Sequence, residues 1–259
     1  MIPTVHLIYF SPTGTTKTIV TRVAEGLAAQ ETVHHDMTKP GSSRDTLLHS
    51  GIAVIGLPVY AGRVPETCLQ RLSTFQAEKI PTVLVALYGN RAYEDALVEL
   101  RDLVSDQGFQ VIAAGAFIGE HSYATVEYPV ALGRPDSSDQ ALAAQFGRRV
   151  AEKAAQGQWE PPQIAGDIPY RERVQFGGIA PDTNPDLCTL CGACAAACPV
   201  DIIRVGSKVE TDAARCIMCC ACVKQCSPQA RIFDDPFIVE RRALLARNCS
   251  VPRQPEFFL

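Results

Sequence analysis

Eight cysteines in one short stretch carry the clearest chemical signal in this 259-residue chain. They read C-T-L-C-G-A-C-A-A-A-C-P and then, after a gap of 17 residues, C-I-M-C-C-A-C-V-K-Q-C-S-P. Cys188, Cys191, Cys194 and Cys198 form the first set, and Cys216, Cys219, Cys222 and Cys226 the second. Both have the spacing C-x2-C-x2-C-x3-C. Three thiolates so spaced wrap one corner of a cubane, while the fourth points away and reaches a partner cluster. The spacing therefore predicts two [4Fe–4S] clusters with crossed ligands. Cys188, Cys191, Cys194 and Cys226 would hold one; Cys216, Cys219, Cys222 and Cys198 would hold the other. Zinc closes at four ligands and does not account for two sets with the same internal spacing. A disulfide framework suits a short secreted chain, which this is not. The sets differ in one respect. The second ends Cys226-Ser227-Pro228 where the first ends Cys198-Pro199, so its proline turn is displaced.

The totals bound the rest. The length allows one larger and one smaller domain, and 47% hydrophobic residues allow a proper core. A net charge of −4 gives no sign of nucleic acid or an anionic membrane surface as a partner. Of the 11 cysteines, Cys68, Cys220 and Cys249 stay unassigned and read as free thiols. The N-terminus lacks a basic region and a cleavage site, and no stretch approaches a membrane span. These features predict a reduced, cytoplasmic protein from an anaerobic or oxygen-poor setting.

A strand over 4–10 runs into Ser11-Pro-Thr-Gly-Thr-Thr-Lys17 and then a helix to about 30. Strand, hydroxyl-rich glycine turn and helix is the layout that sets an anion on a helix N-terminus. The backbone and the hydroxyls of Ser11, Thr13, Thr15 and Thr16 would ring a phosphate, with Gly14 allowing close approach. Further strands follow near 32–36 and over 51–57, 82–88 and 110–117, with helices over about 65–76, to 107 and over 138–155. Five strands alternating with helices indicate a doubly wound parallel sheet, whose ligands bind at the carboxyl ends of the strands. No G-x-G-x-x-G fingerprint for a dinucleotide is present.

The stretch Ser11-x-Thr13-Gly14-x-Thr16 resembles the FMN phosphate loop of flavodoxins. Pro58-Val59-Tyr60 falls where flavodoxins carry an aromatic against the inner flavin face. Gly89-Asn90-Arg91-Ala92-Tyr93 falls where they carry the tyrosine of the outer face. The likeness spans about residues 1–155. With Y-G-N-R-A-Y-E-D-A (88–96), G-E-H-S-Y (119–123) and the E-F-F-L end, the whole chain is similar to a family of flavodoxin–ferredoxin fusions. That resemblance implies a flavodoxin-like FMN domain over 1–156, a linker over 157–181, a 2[4Fe–4S] ferredoxin domain of α+β type over 182–235 and a tail over 236–259. Flavodoxins often carry glycine just after the inner aromatic; here Ala61 stands there, with Gly62 next. Where they surround the flavin with acids, these loops carry Arg63, Asn90 and Arg91. Both departures point toward a flavin that fills with two electrons or that admits an anionic partner. His121, on the same rim, is a candidate proton donor, and Arg91 is the other catalytic candidate.

The linker is rich in proline and glycine, yet Trp159, Tyr170, Val174 and Phe176 suggest that it packs. Pro236–Arg247 reads as a short helix with Ile238, Leu244 and Leu245 inward. Pro-Glu-Phe-Phe-Leu259 is too apolar to hang free, and docks on the first domain or a second subunit. Two functions follow from these parts. In one, the protein is a low-potential carrier that passes electrons between its clusters and FMN, with redox proteins as partners. In the other, it is an FMN-dependent reductase of a small-molecule acceptor. The oligomeric state is left open, a dimer included.

Overall fold

The computed structural model describes residues 2–42, 44–175 and 177–259. The first 155 residues build an α/β sandwich. Its parallel strands are β1 (Thr4–Tyr9), β2 (Glu31–Asp36), β3 (Ile52–Pro58), β4 (Ile80–Tyr88) and β5 (Phe109–Ile118). Four helices alternate with them: α1 (Thr15–Leu27), α2 (Glu66–Leu72), α3 (Ala96–Asp106) and α4 (Ser137–Ala155). The strand order 2-1-3-4-5 is the flavodoxin-like doubly wound order. β3 is buried at every residue, as a parallel strand covered on both faces must be. That is why it reads as an unbroken apolar run and not as an alternation.

Two apolar layers flank the sheet. One holds Ile8, Phe10, Ile55 and Leu84 against α2 and α3. The other holds Leu7, Val54, Val85 and Phe117 against α1 and α4. Those last two helices touch backbone to backbone. A Cβ on Gly147 would stand 2.1 Å from the Val23 carbonyl oxygen, and one on Gly26 2.1 Å from that of Ala144. Asp136 starts α4 by accepting from the N–H groups of Ser138 (2.8 Å) and Asp139 (3.0 Å), while Asp139 accepts from the N–H of Asp136, a reciprocal capping box.

The linker packs along this domain. The Asp95 carboxylate accepts from the backbone N–H groups of Asp167 (2.9 Å) and Arg171 (2.7 Å), and the Tyr170 hydroxyl donates to Asp102. Phe176, expected to help pack it, lies outside the described residues.

The cysteine-rich unit has two small antiparallel pairs. β6 (Asp182–Thr183) pairs with β9 (Arg231–Ile232), and β7 (Ile203–Val205) with β8 (Val209–Thr211). Two short helices, α5 (Ala193–Ala197) and α6 (Ala221–Lys224), lie inside the two cysteine sets and carry Cys194 and Cys222. The chain then forms α7 (Pro236–Asn248), started by Asp235 accepting from the Phe237 N–H at 2.9 Å.

The end of the chain returns to the first domain. β10 (Glu256–Phe258) pairs antiparallel with β5, so the expected five-stranded sheet has a sixth strand that covers its edge. Phe257 stacks on Phe146 at 4.8 Å and meets Phe117 at 5.4 Å. Phe257→Ala should remove about 3 kcal/mol and lower Tm by roughly 6–12 °C; a melt that does not shift would mean the strand contributes nothing. Among the described residues no helix is long and apolar enough to cross a membrane.

Candidate functional site

A cavity of about 500 Å³ opens at the carboxyl ends of β1, β3, β4 and β5. Its floor is made of the loops that follow those strands. Thr13, Thr15 and Thr16 come from the first, Pro58, Val59, Tyr60 and Ala61 from the second, Gly89 and Arg91 from the third, and His121 and Tyr123 from the fourth. Gly14 (φ 86°) caps α1 without a side chain of its own, and the N–H groups of Thr15 and Thr16, the first two of that helix, are left for another anion. The hydroxyls of Thr13 and Thr15 stand 3.3 Å apart beside them. Such a cradle fits a phosphate.

Tyr60, Ala61, Gly62 and Arg63 form a tight turn, closed by N–H to O contacts of 3.0 and 3.1 Å between its end residues. Ala61 (φ 49°) and Gly62 (φ 82°) are both left-handed, the condition for a type I′ turn. Ala61 therefore holds a left-handed conformation that costs alanine more than glycine.

Several expected residues turn away from the cavity. The Ser11 hydroxyl accepts from the Lys17 N–H at 3.0 Å and so braces the loop from behind. Gly62 faces Glu94 and Arg171. Asn90 is buried and clamps the C-terminal segment, donating to the carbonyls of Cys249 (2.7 Å) and Val251 (2.9 Å). Tyr93 does not cover the cavity either: its ring lies on Tyr88 in the core, and its hydroxyl donates to Glu256 at 2.8 Å. Positive φ at Asn90 (59°) and Glu94 (46°) bends the loop that way. Arg63 is also withdrawn. It forks onto buried Glu99 at 2.8 and 2.9 Å, a carboxylate that Arg173 binds too. Arg91 does line the cavity, paired with Glu94 at 2.8 Å.

His121 lies flat against Gly89, where a Cβ would stand 2.5 Å from its ring. Its Nδ1 accepts from the Tyr123 N–H at 3.1 Å. Burial first, then the charges of Arg91 and Lys224, bring its pKa down to about 4. The ring is thus neutral at neutral pH, with its proton on Nε2. In that state the ring offers Nε2–H as a donor.

The far wall of the cavity was not foreseen. Phe237, Arg241, Leu244 and Leu245 of α7 line it, and so do Ile217 and Met218, which stand between Cys216 and Cys219. The Tyr123 hydroxyl donates to Met218 Sδ at 3.7 Å. The second cysteine set is therefore the one beside the cavity. Cys191 of the first set is exposed, next to exposed Leu187 and Leu190.

The two cysteine sets share a backbone trace. Positive φ recurs at matching positions: Leu190 and Met218 (both 53°), Gly192 (79°) and Cys220 (59°), Asp201 (51°) and Gln229 (55°). The displaced Pro228 leaves that turn unchanged. Cys220 occupies the site of a glycine, at about 1–2 kcal/mol of left-handed strain. Cys198, the last of the first set, lies near Cys216, Cys219 and Cys222, and Cys194 also lies near Cys222. No three His, Cys, Asp or Glu side chains among the described residues are set to hold a single metal ion.

Arg231 gives the chemical test of what these thiols hold. It is 3% exposed and has no carboxylate partner among the described residues. It donates to Thr183 (2.7 Å), Thr211 (3.1 Å) and Cys222 Sγ (3.8 Å), and its Nε has no acceptor. A buried guanidinium without an anion is costly. Four thiolates around a cubane supply that anion. Backbone N–H groups also point at sulfur, Met218 at Cys216 (3.4 Å) and Arg231 at Cys226 (3.3 Å).

Residues 181–204 match the model of the 4Fe-4S binding domain family. No curated protein matches the chain. Among solved structures, a flavodoxin from the domain Archaea is 13% identical, covering 59% of this chain and 99% of its own, with a TM-score of 0.38. The Fusobacterium nucleatum flavodoxin bound to flavin mononucleotide is 15% identical over 60% of this chain and 98% of its own, with a TM-score of 0.41. The fold assignment rests on the strand order. A flavodoxin-like α/β domain continued by a 4Fe-4S binding module in one chain is the organisation of a flavodoxin–ferredoxin fusion.

Proposed function

We propose that this iron–sulfur protein binds FMN in the cavity and two [4Fe–4S] clusters on its eight paired cysteines, and that it passes electrons between them. One observation carries the reading: Ile217 and Met218, inside the second cysteine set, also form a wall of the cavity. The α1 N-terminus with Thr13, Thr15 and Thr16 would hold the phosphate, and Tyr60 and Ala61 would flank the ring. Cys216, Cys219, Cys222 and Cys198 would hold the inner cluster, and Cys188, Cys191, Cys194 and Cys226 the outer one. Cubanes pass single electrons and flavin takes up two, so the pair converts one currency of charge to the other. Exposed Cys191 puts the outer set where a redox protein can reach it. The packed linker and α7 keep the two halves at a fixed spacing. Reduction of a small molecule at the flavin is a second reading, favoured by the neutral Nε2–H donor of His121 in the cavity wall.

Anaerobic reconstitution with iron, sulfide and FMN tests the proposal. The expected product holds one FMN and about eight irons per chain. A photoreduced one-electron donor should then reduce the flavin, and should fail to do so when only the clusters are left out. A product that retains no FMN, or one whose flavin is reduced as fast without clusters, would overturn it.

A further inference from the structure

We propose that the part of the cavity between His121, Tyr123 and α7 is a binding site for a small apolar carboxylate, held by Arg241. The inference rests on FMN occupying the floor of the same cavity.

The charges lining the cavity are unbalanced. Glu120 is its one acid among the described residues, and Lys224 neutralises it. Arg91 and Arg171 both line the cavity and share a single carboxylate, Glu94. Arg241 has no carboxylate partner among the described residues, and its guanidinium rests on the Phe237 ring at 5.0 Å. A guanidinium so placed has its fork free for a carboxylate, the partner it binds through two parallel bonds.

The rest of the wall is apolar. Leu244, Leu245, Ile217 and Met218 line it, and Phe237 stands 47% exposed at its rim. A mostly apolar pocket with a few converging polar groups is the usual form of a small-molecule site. His121, whose Nδ1 accepts from the Tyr123 N–H, lines the same cavity and offers its Nε2–H as a neutral donor, while the Arg91 guanidinium is held by Glu94. A free sugar or a polyamine would meet the wrong surface. A flat hydrocarbon with one carboxylate matches both the wall and the charge.

The test uses FMN-loaded, cluster-loaded protein, with FMN content measured first. Benzoate and its neutral isostere benzamide are titrated, and the visible difference spectrum of the flavin is read. Benzoate should bind at least about tenfold more tightly than benzamide. Arg241→Gln should weaken benzoate about ten- to a hundredfold, leave benzamide unchanged and leave FMN content unchanged. Equal binding of the two probes, or no spectral response to either, would overturn the site. So would loss of FMN in Arg241→Gln, which would assign the guanidinium to the flavin phosphate. A starting sample without FMN would overturn the functional reading beneath the site, and it would do so before any benzoate was added.

Discussion

Cys198→Ala will remove the inner cluster and leave the outer one in place. The iron content should fall from about eight to about four per chain, and the surviving EPR signal should belong to Cys188, Cys191, Cys194 and Cys226. The expectation runs against sequence order, since Cys198 ends the first set. It follows from position: Cys198 lies with Cys216, Cys219 and Cys222, whose loop also walls the cavity. Loss even of a group behind a ligand costs about 10–100-fold in metal affinity, and loss of a ligand thiolate should exceed that. Electrons delivered to the exposed outer set would then lack their relay, and flavin reduction from a protein donor should slow at least as much. FMN content should hold, because no flavin-loop residue changes. Cys226→Ala is the mirror experiment. It should take the outer cluster and spare the inner one. If Cys198→Ala instead spares the inner cluster, ligation is not crossed and the relay order given above is wrong.

The 4Fe-4S binding module and the α/β alternation were legible because they are local. Spacing within 11 residues defines each cysteine set, and each buried strand shows itself as a short apolar run. The cavity floor was legible for the same reason, since Thr13, Thr16, Tyr60 and His121 each follow a strand end. The failures are long-range. Arg63 looked like a flavin-side cation, but its partner Glu99 lies on α3, one full strand away in sequence. Tyr93 stood at the right place in its loop, yet exposed Glu256, from the last strand of the chain, takes its hydroxyl at the sheet edge, away from the cavity. The α7 wall left a weak trace. Leu244 and Leu245 were expected inward, but nothing local says that inward means the cavity. Arg231 left no trace, because an arginine reads as exposed until its surroundings are known.

Arg231→Leu should make the inner cluster harder to reduce. The guanidinium reaches Cys222 Sγ, which on the proposed ligation would hold the inner cluster, while only its backbone N–H reaches Cys226, which would hold the outer one. The substitution keeps the second contact and removes the first, so the two clusters should respond differently. Hydrogen bonds to charged groups contribute about 1.5–3 kcal/mol. Added electrons make the cluster more negative, so a nearby cation favours its reduced form. Converted at 59 mV per tenfold for one electron, its loss should move the inner midpoint about 65–130 mV more negative, read by EPR-monitored titration. The outer midpoint should stay put. The effect on stability should change sign with the clusters. Without them, Arg231 is a buried cation beside neutral thiols, and leucine removes an uncompensated charge, so the cluster-free chain should be as stable or more so. With them, the cation faces thiolates, and its removal leaves their charge less compensated, so the loaded protein should lose stability. A loss of the same size in both forms would show that Arg231 only ties Thr183 to Thr211, and an inner midpoint that does not move would sink the electrostatic role.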